Sequence, residues 1–145
     1  DGRTVLSGFA RARRRSTHTR AMQVRLDHRD KPVRSPLTRW VHTPVDGKPY
    51  WSALQFDPPM PRKILGKGWP VRILHHRGRE MIFASPEEIQ HAISILSQKS
   101  LPRARDLGRL HGAVNAHWLS RLHPSFKPWK VRQELVKRLN QAPPA

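Results

Sequence analysis

Val71-Arg72-Ile73-Leu74-His75-His76-Arg77-Gly78-Arg79-Glu80-Met81-Ile82-Phe83-Ala84-Ser85-Pro86-Glu87-Glu88 is the stretch that decides the fold class. Two short runs rich in apolar residues, Val71 to His76 and Glu80 to Ala84, flank Arg77-Gly78-Arg79. Apolar runs around a glycine-containing turn read as a β-hairpin. Ser85 then supplies a helix N-cap, Pro86 fits the first helical position, Glu87 faces the positive end of the dipole and Glu88 completes a capping box. Ile89, Ala92, Ile93 and Leu96 continue at i, i+3, i+4 and i+7, an apolar stripe that has to pack on the sheet.

Upstream, Arg39 to His42 and Tyr50 to Phe56 read as further strands joined through Asp46-Gly47, and Asp57-Pro58-Pro59-Met60-Pro61 ends the second, because proline cannot donate to a ladder. A loop through Gly66 and Gly68 leads to the hairpin. Downstream, Pro102 opens a helix to His111, Asn115 or Ala116 to Leu122 forms a third, and after His123-Pro124-Ser125 a fourth runs to about Asn140. There Val131, Leu135 and Leu139 make the apolar face, and Glu134 can pair with Lys130, Lys137 or Arg138. The expected class is α+β: three to four short antiparallel strands over 39–84, then three to four helices over 86–140, in one domain spanning 36–141 with a frayed tail at 142–145.

Composition names the partner class. The chain holds 28 Lys and Arg against 10 Asp and Glu, a net charge of +18 over 145 residues. Self-repulsion of this size opposes compaction, and a polyanion that releases condensed counterions relieves it. Residues 1–35 carry nine Arg and one Lys against three Asp, with few bulky apolar residues, and read as a flexible basic arm. The remaining net +11 belongs to the folded part. The acid-poor N-terminus also fits an organelle transit segment or a stretch upstream of a start at Met22. The absence of cysteine excludes disulfides and thiolate metal sites. No apolar run reaches the roughly 18 residues of a membrane span, so no membrane partner is expected and the chain reads as soluble and intracellular, in cytoplasm or nucleoid, or in an organelle if residues 1–21 are a transit segment.

The candidate contacts follow from that charge. Arg11, Arg13, Arg14, Arg15 and Arg20 are the arm's phosphate ligands, since the guanidinium fork matches phosphate oxygens in pairs. Residues 102–122 have helix-turn-helix features in Leu107-Gly108, Gly112 and Trp118, with Asn115, His117 and Arg121 as base readers and Arg103, Arg105 and Arg109 on the exposed side. Lys130 and Lys137 extend the basic surface. The strand order Tyr50–Phe56, Val71–His76, Glu80–Ala84, followed by a helix with Phe83-Ala84-Ser85-Pro86-Glu87-Glu88 at the junction, resembles the integrase-arm type of DNA-binding domain, also found in plant transcription factors. That resemblance implies a three-stranded sheet in the major groove, with Arg72, His76, Arg77 and Arg79 as contacts. Among the five tryptophans, Trp40, Trp51, Trp118 and Trp129 lie in periodic segments and read as core, whereas Trp69 in a Gly- and Lys-containing loop reads as the exposed one.

The function expected is a small DNA- or RNA-binding protein acting through phosphate neutralisation, with no catalytic residue, metal ligand or cofactor. The alternative is an assembly protein inside a large nucleoprotein such as a ribosome or mobile-element complex. A metal-dependent nuclease is a third reading: Asp27-His28 with Asn115 and His117 resembles an HNH arrangement. But residues that distant lack the compactness of such motifs.

Overall fold

The computed structural model describes residues 22–104, 106–107 and 117–144. It is a mixed α+β chain with two antiparallel sheets. The elements are β1 (Gln23–Arg29), α1 (Thr38–Val41), β2 (Thr43–Pro44), β3 (Phe56–Asp57), β4 (Trp69–His76), β5 (Arg79–Phe83), α2 (Pro86–Leu96), two 3-10 turns (Trp118–Arg121 and Pro124–Phe126) and α3 (Trp129–Asn140). Residues 104, 106 and 107 are helical as well.

The hairpin and its helix form where the sequence places them. His76 pairs with Arg79, which leaves Arg77 and Gly78 as a two-residue turn, both with positive φ, at 51° and 77°. Such a turn has the twist of the strands it joins, and glycine enters it without penalty. Ser85 accepts a hydrogen bond from the Glu88 amide at 3.1 Å and caps α2. Glu88 itself departs from a capping box. Its fully buried carboxylate accepts from the Ala84 amide and from the hydroxyls of Ser35 and Thr38, tying the start of α2 to α1.

The third strand of the main sheet comes from an unexpected place. β4 lies between β5 and β1, and β1 is drawn from residues assigned to the flexible arm. Val24, Leu26 and His28 alternate with charged residues, so one face of this strand can be buried while the other stays wet. The arm therefore does not extend to residue 35: Met22, Ser35 and Leu37 are already buried. Two expected strands are also corrected. Residues 38–41 form a helical turn around the buried Thr38 and Trp40. Only Phe56, of Tyr50 to Phe56, is in a strand, because Ser52 and Ala53 both donate to the Pro49 carbonyl and fold that segment into a turn. Strand β1 thus takes the first place in the β-β-β-α order, in place of Tyr50–Phe56.

The inner face of the main sheet presents Val24, Leu74, Met81 and Phe83 to Ile89, Ala92 and Leu96 of α2, with Trp118, Leu122, Phe126, Leu135 and Leu139 completing the core. Five consecutive β4 residues, Pro70 to Leu74, are buried, as befits a central strand covered on both faces. In α3 the buried positions are Arg132, Leu135 and Leu139, with Val131 packed beside the core. The C-terminal segment is engaged rather than frayed at 142–143: Ala142 packs on the core and the Pro143 carbonyl accepts from Arg72. No described helix is long and apolar enough to cross a membrane.

Candidate nucleic-acid interface

The expected contacts separate into exposed and buried groups. Arg77 and Arg79 stand exposed at the hairpin, Arg121 at the end of its 3-10 turn, and Lys130 and Lys137 on α3. Arg103 is exposed but holds Asp106 at 3.0 Å. Arg11, Arg13, Arg14, Arg15, Arg20, Arg105, Arg109 and Asn115 lie outside the described residues.

Two expected contacts are corrected. Arg72 is only 5% exposed, because its register opposite Leu26 and Phe83 turns it to the inner face of the sheet. There its Nε donates to the Pro143 carbonyl at 3.2 Å, and burial pushes its pKa down. His117 is 2% exposed, with its Nδ1 accepting from the Leu119 amide at 3.1 Å and its ring 4.7 Å from that of Trp40. It is a cap and a packing group, unable to read a base. The element that follows it, Trp118–Arg121, is one 3-10 turn with Trp118 and Leu119 buried, too short for a recognition helix in a groove.

The outer face of the sheet compensates its own charge. Asp27 lies 3.3 Å from Arg25 and 3.6 Å from Arg29, Arg25 Nε donates to His75 Nε2 at 2.9 Å, and His75 Nδ1 is 3.3 Å from Glu80. The hydrogen bond from the His28 amide, and then the Arg25 and Arg29 guanidinium groups, hold the Asp27 carboxyl below its ordinary pKa. Cations engaged in this way make poor phosphate ligands.

One groove carries two guanidinium groups that form no ion pair among the described residues. About 690 Å³ in volume, it runs between the hairpin and the segment carrying the 3-10 turns, with Leu37, Met81 and Phe126 among its apolar lining and Arg79, Arg121 and His123 among its polar lining. Glu80 also borders it and keeps its negative charge, because His75 accepts from Arg25 at Nε2 and so meets the carboxylate at Nδ1 as a neutral ring. No described residue forms an ion pair with Arg77, Arg79 or Arg121. Beside the groove, the His76 ring lies 5.8 Å from that of Phe126, and burial together with the Arg77 charge lowers its pKa. Lys130 and Lys137 do not line this groove.

Several side chains that matter are not evident in the sequence. Arg132 is buried, and its guanidinium donates to the carbonyls of Leu96, Gln98, Lys99 and Lys127, closing the C-terminal end of α2. Trp51 is the exposed tryptophan, at 78%, while Trp69 is half-buried in β4 with Lys63 5.4 Å from its ring centre. A proline two residues before Trp51 is the one local sign that its segment is a turn. No group of three or more His, Asp or Glu side chains among the described residues is placed to hold a metal ion. Comparison of the chain with family models, curated proteins and solved structures gives no match.

Proposed function

We propose that this chain is a small nucleic-acid-binding protein, for DNA or RNA, that acts by neutralising phosphates and performs no chemistry on its partner. The observation that carries this reading is the pair Arg79 and Arg121, which come from distant parts of the chain and line one groove without an acidic partner among the described residues. Two guanidinium groups beside an apolar floor suit a backbone phosphate, because the fork geometry offers paired donors and the weakly hydrated cation is readily desolvated. Arg77 at the hairpin tip adds a third positive charge next to the groove. The net +18 supplies long-range attraction to any polyanion, and displacement of counterions supplies the free energy.

Titration of the full chain with duplex and single-stranded DNA and RNA at two salt concentrations tests the reading. The expected result is binding that weakens steeply as salt rises. Absence of binding to all four, or affinity indifferent to salt, contradicts it.

A further inference from the structure

Trp51 is 78% exposed and Leu54 79%, yet the loop that carries them is tightly held. Ser52 and Ala53 both donate to the Pro49 carbonyl, at 3.0 and 2.9 Å. Arg34 spans the turn from beneath, its two terminal nitrogens donating to the carbonyls of Tyr50 at 2.6 Å and Ala53 at 2.8 Å. Asp46 accepts from the Lys48, Leu54 and Gln55 amides, which holds its carboxyl below the ordinary pKa. The backbone that presents this ring, which could bury roughly 150 to 250 Å², is therefore ordered before any ligand arrives.

Cations lie against the Tyr50 ring, next to Trp51 in the chain, and in the cleft that Leu54 borders. The Arg34 guanidinium lies 5.0 Å from the Tyr50 ring centre and 5.1 Å from that of Phe56, and the exposed Arg39 lies 5.7 Å from Tyr50. A cleft of about 510 Å³ continues from Arg34 and Leu54 to Arg62, Lys63 and Trp69. From these observations we infer that Trp51 is a stacking platform for an unpaired nucleobase, and that single-stranded nucleic acid is the ligand of this surface. The flanking phosphates lie toward Arg39, Arg62 and Lys63. A base inside a duplex has both faces covered by its neighbours and cannot use Trp51, whereas an unpaired base presents a free π-face. Arg39 against Tyr50, with Arg62 and Lys63 in the cleft that Leu54 borders, outnumber the Asp46 carboxylate of this loop and favour this ligand over an apolar protein segment. The inference rests on the nucleic-acid reading above and narrows it to one strand form at this surface.

The test compares full-length wild type, Trp51→Ala and Trp51→Phe for binding to short oligo-dT, oligo-U and a duplex of similar length. Trp51→Ala weakens single-strand binding roughly 5- to 150-fold, the range expected for one lost base stack, and leaves duplex affinity within about twofold. Trp51→Phe restores most of the loss, and oligo-dT quenches tryptophan emission in wild type far more than in Trp51→Phe. That quenching difference decides the matter even if Trp51→Ala fails to fold. Single-strand binding by Trp51→Ala equal to wild type, or equal quenching in wild type and Trp51→Phe, overturns the inference and leaves the ring to a protein neighbour. Failure of wild type to bind any nucleic acid overturns the broader reading instead.

Discussion

Thr38 Oγ1 donates to the Glu88 carboxylate at 2.7 Å across 50 residues of chain, and both side chains are shut off from water. The same carboxylate accepts from Ser35 Oγ and the Ala84 amide, and lies 3.5 Å from His42 Nε2. His42 in turn bonds Ser85 Oγ at 2.7 Å and the Pro58 carbonyl at 2.6 Å. This buried network joins the segment before α1, the proline loop and the start of α2. Each buried polar group left without its partner costs about 1 to 3 kcal/mol. Glu88→Ala therefore destabilises the protein by at least ~3 kcal/mol, read as a lower midpoint in urea denaturation. Thr38→Val, at constant shape, removes the donor to Glu88 and the acceptor of the Ser35 amide, two bonds against the three that Glu88→Ala removes, and costs correspondingly less.

Arg132 makes a second claim on stability. Its guanidinium serves four carbonyls at the end of α2 and the entry to α3, a geometry that the single ammonium of lysine cannot reproduce. Arg132→Ala is expected to cost about 2 to 4 kcal/mol, from several orphaned carbonyls of ~1 kcal/mol or more each. Arg132→Lys should recover less than half of that loss, as measured by the same denaturation.

Gly68 has φ 110°, and a Cβ placed on it would lie 2.2 Å from the Arg29 carbonyl oxygen. That carbonyl is main chain at the end of β1, so relief requires β1 and β4 to separate. Gly78 also has positive φ, at 77°, but a Cβ there meets nothing within 4 Å. Gly78→Ala should cost only the left-handed penalty of about 1 to 2 kcal/mol. Gly68→Ala should cost more, and should increase amide hydrogen exchange along Gln23–Arg29.

The division between what the sequence discloses and what it hides follows from how local the forces are. The hairpin at Arg77-Gly78 and the start of α2 at Ser85-Pro86 rest on neighbouring residues, so both are legible. The 38–41 turn depends on Glu88 fifty residues away, and the Tyr50–Ala53 turn on Arg34, so strand-like composition misleads at both. β1 carries a two-residue alternation that the surrounding arginines obscure. Among the site residues, Arg77, Arg79 and Arg121 emerge as exposed cations. Arg72 does not, because register rather than composition decides which face of β4 it occupies.

His76 titrates below the ordinary 6.5 of a histidine, chiefly through burial and further through the Arg77 charge. The unfolded chain then takes up this proton at a higher pH than the folded one. The His76 contribution to stability is thus intact above about pH 6.5 and is lost progressively as the pH falls below it, until the folded group protonates as well. An NMR titration of the ring should give a midpoint below 6.5 that rises in Arg77→Ala. A midpoint unchanged by that substitution removes the Arg77 contribution.

In the proposed function, Arg79 and Arg121 together hold backbone phosphates in one groove. The direct measurement is the slope of log affinity against log salt concentration for duplex DNA, in wild type, the two single alanine variants and the double variant. Each neutralised phosphate contributes about 0.9 to the slope, so Arg79→Ala and Arg121→Ala should each reduce it by about that amount, and the double variant by ~1.8. Slopes and affinities equal to wild type in all three variants would place the phosphates elsewhere and rule out this groove as their site.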